Sequence, residues 1–260
     1  IIKPFQTKSL LNKIKNEDIK IIHTNSSVVS YGAYLSRKSN VKHVWHIREN
    51  VNDMFDQSLK DMDHHITTIT AKADCIIFIS KSIKDYFFSY VEEKKQTNLN
   101  YRLIYNGLPL KPNSNTSNRD DGLLNIVSFG TLYKIKGQED LVKLAEQLQN
   151  KLIKNFKIHL VGQQKQEYTR YLKTKMKELE VSDKFEFHGY KTELEPFRSL
   201  ADIEVICSRN EAFGRVAIEA LNHGNPLIVT SVGGLDEIVE HNKNGLKYSP
   251  GNITELFRNV

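Results

Sequence analysis

Short apolar runs alternate with longer stretches in which apolar residues recur every three or four positions, and this rhythm persists along nearly the whole chain. In the first part the runs fall at residues 20–24, 43–48, 75–80 and 102–105. Runs of this length, apolar at successive positions, predict strands buried on both faces. The periodic segments between them predict helices over about residues 28–39, 53–71 and 82–90. A second series of runs occupies residues 125–130, 156–162, 184–189, 203–208, 226–230 and 245–248. Between the two series, residues 106–122 are rich in Asn, Pro, Ser and Gly and nearly free of hydrophobes, which reads as a linker. The pattern predicts an α/β protein of two Rossmann-like, doubly wound parallel-sheet domains, residues 1–117 and 118–260, with a ligand cleft between them. The first domain supplies four strands where six are usual, so the chain is expected to be truncated at the N-terminus and at the C-terminus as well.

Composition narrows the class. With 39% hydrophobic and 26% charged residues the chain is ordinary for a soluble globular protein. No apolar run approaches the roughly 20 residues of a membrane span. Cys75 and Cys207 sit singly in apolar runs, which predicts buried thiols in a reducing compartment. No paired Cys/His spacing exists, and His64, His65 and the other histidines show no ligand spacing with carboxylates, so no metal site is expected. The net charge of +6 is unevenly placed: 17 basic and 11 acidic residues through residue 117, then 20 of each. An excess of that kind suits either a solvated face or an anionic partner such as a lipid headgroup or lipid-linked phosphate. Nucleic acid is not expected, because the basic residues are not interleaved with an aromatic binding motif.

The candidate chemistry is concentrated in residues 208–229. A strand ends at Ser208, Phe213 and Gly214 open a helix, and Gly224, Asn225 and Pro226 close it before the next strand. Glu211 lies just before that helix and Glu219 about a turn and a half into it, so both belong to one end of a parallel sheet. The helix start suits an anion, and a carboxylate at Glu219 suits a ribose diol because it accepts two hydroxyls at once. Glu211 is the better placed of the two to meet a sugar.

These strings resemble the C-terminal domain of a GT-B glycosyltransferase of family four. The match lies in Glu211, Phe213, Gly214 and Glu219, in residues 224–229, in Gly233 and Gly234, in residues 237–239 and in residues 244–246. Weaker echoes lie at residues 74–80 and 103–107. The resemblance implies a retaining transfer of sugar from a nucleoside-diphosphate sugar to a hydroxyl acceptor, a lipid-linked or cell-envelope saccharide, without a divalent metal or other cofactor. It implies that residues 130–137 grip the diphosphate, with Gly130 opening the loop and Lys136 on the family's lysine. Thr131 stands where the family has arginine, and Arg215 beside the helix start is the candidate substitute. It also implies that His46 faces the donor sugar, that Glu211 positions it, and that the backbone at Gly189 and Tyr190 meets the nucleobase. Arg48 and Glu49 either pair with each other or line the acceptor side. The enzyme implied is cytoplasmic, peripheral to an anionic membrane face. A nucleotide-sugar-binding fragment without catalysis is the alternative. A dinucleotide-dependent oxidoreductase is disfavoured, since neither Gly130 nor Gly162 continues as G-x-G-x-x-G.

Overall fold

The computed structural model describes residues 4–50, 62–92, 96, 98–109 and 122–260. Most of the linker and the first half of the helix expected at 53–71 therefore lie outside the described residues. The chain divides into two compact units, Ile1–Asn106 and Gly107–Val260, so the division falls at the start of the expected linker.

Unit 1 runs α1 (Pro4–Asn16), β1 (Ile21–Thr24), α2 (Tyr31–Ser39), β2 (Lys42–Ile47), α3 (Met62–Lys72), β3 (Cys75–Phe78), α4 (Lys81–Phe88) and β4 (Tyr101–Leu103). The four strands pair in parallel, in the order β1-β2-β3-β4. Trp45, Ile47, Ile76 and Phe78 of the strands and Ile69, Ile83 and Phe87 of the helices are all buried, with the Phe78 and Phe87 rings 5.2 Å apart. The Ser80 hydroxyl caps α4 by accepting from the Ile83 N–H at 3.1 Å, which is why a helix starts directly after β3. Two expectations change. Helix α1 has no counterpart in the apolar pattern, because its stripe is thin and even Leu10 is exposed. Helix α2 begins at Tyr31 rather than 28, since Val28 and Val29 stay exposed and cannot anchor a buried face.

Unit 2 runs β5 (Leu124–Phe129), α5 (Glu139–Asn150), β6 (Phe156–Val161), α6 (Gln166–Glu178), β7 (Phe185–Gly189), α7 (Glu195–Leu200), β8 (Ile203–Ile206), α8 (Arg215–His223), β9 (Leu227–Thr230), α9 (Gly233–Ile238), β10 (Leu246–Tyr248) and α10 (Ile253–Asn259). All six strands are parallel, in the order β10-β9-β8-β5-β6-β7. The sheet is therefore covered on both faces. Ile126, Ile158, Leu160 and Val205 pack under Leu141, Leu144 and Leu172 on one side. Val127, Phe129 and Val161 meet Leu194 and Phe197 on the other. The order reverses between β5 and β8: the chain leaves β5 toward β6 and β7, then returns to β8 on the opposite flank. The crossovers from β5 and β8 thus run in opposite directions, and the C-terminal ends of those strands are where a sheet of this kind opens a ligand crevice. Both cysteines are free; Cys207 is buried, its thiol pushed up to about 12 by burial, but Cys75 is only half-buried, at the start of β3.

Candidate functional site

The loop leaving β5 and the loop leaving β8 are pressed together. Gly137 adopts a left-handed φ of 62°, and a Cβ there would lie 2.1 Å from the Cys207 carbonyl oxygen. The Arg209 N–H donates to the Ile135 carbonyl at 2.7 Å. Arg209 then spans to the start of α5, donating to both oxygens of the fully buried Asp140 at 2.6 Å and to Glu139 at 3.0 Å. Asp140 also accepts from the Tyr248 hydroxyl at 3.0 Å. These bidentate contacts tie the two crossovers into one rigid rim.

The rim encloses a cavity of about 90 Å³ lined by Gly130, Lys136, Gln138, Ser208, Glu211 and Arg215, among others. Lys136 Nζ donates to Glu211 Oε2 at 2.6 Å, and the Ser208 hydroxyl lies 3.2 Å from the same oxygen. Gly214, at φ 94°, starts α8 without a side-chain cap, so the positive end of the helix dipole faces the cavity. The Gly233–Gly234 pair explains how Glu211 is held. A Cβ on Gly233 would sit 2.1 Å from the Glu211 carbonyl oxygen, and one on Gly234 would sit 2.3 Å from that of Phe213. The Gly234 N–H in turn donates to the Glu211 carbonyl at 2.8 Å. Only glycine permits α9 to approach this closely.

Of the residues singled out in the sequence, Gly130, Lys136, Glu211, Gly214 and Arg215 converge on this cavity. Phe213 is buried just beneath it, and Thr131, adjoining Gly130, accepts from Gln138 Nε2 at 3.1 Å through its carbonyl. Glu219 lies one step back. It accepts from Arg215 Nε at 2.7 Å and from Arg198 at 2.9 Å, so Glu219 holds two cations where Glu211 holds one. Gly189 ends β7 and Tyr190 follows it, two strands from β5 and three from β8. Gly189 has φ 68° with open space where a Cβ would stand, and Tyr190 is 74% exposed.

His46 belongs to unit 1. It is the penultimate residue of β2 rather than its end; Ile47 completes the strand. Its ring stacks on His23 with centroids 5.6 Å apart. Burial, then the nearby Arg48 charge, pushes its pKa down to about 4, so the ring is neutral at pH 7. Arg48 and Glu49 do not form a side-chain pair. The Glu49 carboxylate accepts from the Ser26 hydroxyl and from the N–H groups of Ser27 (3.0 Å) and Arg48 (3.1 Å), while the Arg48 guanidinium donates to Asn25 Oδ1 at 3.3 Å.

One functional element escaped the sequence reading. Arg198, only 5% exposed on α7, donates to both oxygens of buried Glu204 in β8 at 2.7 and 2.8 Å. Its guanidinium lies 4.5 Å from the centre of the Phe129 ring. Asn225 donates to Glu204 at 2.7 Å, and His223 links Asn225 to Glu195. Burial raises the Glu204 carboxyl and the Arg198 charge opposes that rise. Arg198 therefore joins β8, α7 and the Glu219 carboxylate into one anchored unit beneath α8. An acid inside an otherwise apolar strand was the available signal, because it demands a buried cation.

A six-stranded parallel sheet with this strand order and a cation-bearing cavity at its reversal defines a Rossmann-type ligand-binding domain. A family model for the glycosyl transferases group 1 matches residues 111–260, and the chain belongs to that family. It is 27% identical over 258 residues to an uncharacterized glycosyltransferase of Methanocaldococcus jannaschii, covering 96% of this chain and 66% of the relative. A second glycosyltransferase of that organism is 31% identical over 207 residues, covering 73% of this chain and 50% of the relative. The chain thus spans between half and two thirds of the length of these relatives. Among solved structures, Anabaena HepE in complex with UDP-glucose matches with a TM-score of 0.82 at 22% identity, covering 97% of this chain and 70% of that one. The two parallel-sheet units have the fold of GT-B glycosyltransferases. Among the described residues no helix is long and apolar enough to cross a membrane.

Proposed function

We propose that the cavity at the β5/β8 crevice binds the diphosphate of a nucleoside-diphosphate sugar, and that the protein transfers the sugar with retention to a hydroxyl acceptor. The observation that carries this reading is the Lys136–Glu211 pair at 2.6 Å beside the uncapped start of α8. An arriving diphosphate takes Lys136 and the helix amides as its partners, and Glu211 is released toward the sugar hydroxyls. That exchange keeps the site neutral when empty and creates a cation where the leaving group needs one. HepE, whose structure was solved with UDP-glucose, supports a nucleotide sugar as the donor class.

In the transfer, the bond between the anomeric carbon and the diphosphate oxygen breaks, and its electron pair leaves with the diphosphate. Lys136, the α8 amides and Arg215 stabilise that charge. The acceptor hydroxyl attacks the same face and gives its proton to the departing phosphate oxygen. No enzyme carboxylate forms a covalent intermediate, in contrast to retaining glycosidases. Arg215 takes part by exchanging Glu219 for phosphate, which would offset the threonine at 131. Neutral His46 would meet the donor sugar as a hydrogen-bonding group, and open backbone at Gly189 and Tyr190 would meet the base.

The positive excess of the first part supports an acceptor presented on an anionic surface, a lipid-linked or envelope saccharide. Flotation with anionic vesicles tests this: salt-sensitive binding supports it and none at low salt rejects it. Transfer itself is tested by screening nucleotide sugars for nucleoside-diphosphate release. Release abolished by Lys136→Ala is the expected result. Tight nucleotide binding with no release from any donor would favour a binding role without catalysis.

A further inference from the structure

Among the described residues, one group of three side chains has the make-up of a metal site: His159, Glu186 and His188, whose ligand atoms all lie within 4.8 Å of one another. None of the three lines the cavity around Lys136. They come from the outer edge of the unit 2 sheet, where β6 and β7 pair. We propose that this cluster binds a first-row divalent transition cation, best matched by Zn²⁺, with water completing the coordination.

The distances carry the proposal. His159 Nδ1 is 3.0 Å from His188 Nε2 and 3.5 Å from Glu186 Oε2, and His188 Nε2 is 3.7 Å from that same oxygen. A tetrahedral zinc with bonds of about 2.05 Å has ligand atoms about 3.3 Å apart. The observed triangle brackets that edge, and a point about 2.0 Å from all three atoms exists, matching zinc's bonds to nitrogen and oxygen.

A second observation concerns orientation. The Asn125 amide nitrogen donates to the Leu123 carbonyl at 3.0 Å and to Asp202 at 3.2 Å, which fixes its Oδ1 toward β6. That oxygen lies 3.1 Å from His159 Nε2 and therefore accepts its proton. The lone pair of the neutral ring is thus on Nδ1, the atom aimed at His188 and Glu186. A carbonyl-type partner on the far nitrogen is how ligating histidines are oriented in metal sites. His159 is itself only 4% exposed, so this is a built position rather than a surface encounter.

The strand geometry supplies the rest. His159 pairs with Glu186 and Leu160 with Phe187, but Val161 pairs with Gly189, so His188 is the extra residue of an irregularity in the ladder. Residues two apart on a regular strand stand about 6.6 Å from each other. The irregularity re-aims His188, as β-bulges do. Its ring meets that of His159 end to end and within 19° of coplanar, with centroids 5.3 Å apart, and is backed by Phe197 at 4.7 Å. Without a cation, one imidazole N–H bridges the two nitrogens. With one, that proton moves to Nδ1 of His188 and the metal takes its place. Two imidazoles and one carboxylate suit Zn²⁺, Co²⁺ or Ni²⁺ and disfavour Mg²⁺ and Ca²⁺, which prefer oxygen ligands.

The test uses the full chain without an affinity tag, stripped of metal with EDTA. Co²⁺ serves as a visible-absorption probe, and Zn²⁺ is titrated calorimetrically. The expected result is one equivalent of Co²⁺ giving d–d bands, displaced by Zn²⁺, absent in His188→Ala and weakened by Glu186→Gln. Asn125→Ala, if its thermal melt shows that it folds, should lower affinity by roughly 10- to 100-fold through lost orientation. Absence of stoichiometric binding would overturn the proposal and leave a hydrogen-bonded histidine pair. Binding undiminished in His188→Ala would also overturn it, by moving the cation elsewhere, for instance to Cys75.

Discussion

The two parallel sheets differ in strand order, and the difference decides where chemistry sits. In unit 1, β1 to β4 lie side by side in sequence order, so each right-handed crossover advances the same way. In unit 2 the order reverses at β5, and the residues of the candidate site gather at that reversal. Buried charge follows the same division. Unit 2 pairs its buried charges, Arg198 with Glu204 and Arg209 with Asp140, and thereby fixes the walls of a crevice. Unit 1 buries the Glu49 carboxylate against N–H groups and the Ser26 hydroxyl, and partial or full burial lowers the pKa of its His43, His46 and His65. The unit 2 crevice is thus braced by buried ion pairs, whereas unit 1 packs histidines whose neutral form burial favours.

The largest effect should come from breaking that bracing. Arg198→Met leaves Glu204 buried without its cation, which should cost about 3–5 kcal/mol. Amide exchange should show the loss in β5 and β8 and not in β1 to β4. Lys136→Ala should weaken nucleoside-diphosphate binding by about 1.5–3 kcal/mol, roughly 10- to 150-fold, because one charge-assisted contact is lost. Its melting temperature should stay close to that of the parent. Gly234→Ala drives a methyl into the Phe213 carbonyl and should cost about 1–3 kcal/mol through a forced backbone shift, read from urea denaturation.

Unit 1 should answer to acid. The folded pKa of His46 is about 4 against 6.5 for the free residue, so the native state binds fewer protons than the unfolded one in that window. Its contribution is fully present above pH 6.5 and is lost as pH falls toward 4. Melting curves between those values should show unit 1 weakening, with a shallower slope in His46→Phe. The smallest effect is expected for Arg215→Ala, whose side chain is 72% exposed in an i,i+4 pair with Glu219. Stability should change by no more than about 0.5 kcal/mol. Unchanged nucleotide affinity in that variant would remove Arg215 from the phosphate site.

All ten strands lie within two residues of their expected positions, because each is a short apolar run bounded by polar or turn-forming residues, although β1 and β4 are largely exposed rather than buried on both faces. Helix α1 was illegible for the opposite reason, its apolar stripe being too thin to mark a period. The spacing of Glu211 and Glu219 put one before a helix and the other inside it, and α8 is that helix. It carried no information about their partners, since Lys136 is 75 residues away from Glu211. Arg198 looked like one more polar residue on a short helix; only Glu204 within β8 pointed to it. The histidine cluster was hidden because its ligands are split between β6 and β7, and a Glu-x-His pair on one strand is too common to signal a metal.

The proposed role of the unit 2 crevice is to hold a nucleoside diphosphate through Lys136 beside the start of α8. Calorimetric titration of the full chain with UDP and with GDP tests it directly. Saturable binding of at least one nucleotide at one equivalent is expected, weakened at least tenfold by Lys136→Ala in a chain that melts normally. Absence of binding by both nucleotides, or binding that the Lys136→Ala chain retains in full, would contradict it.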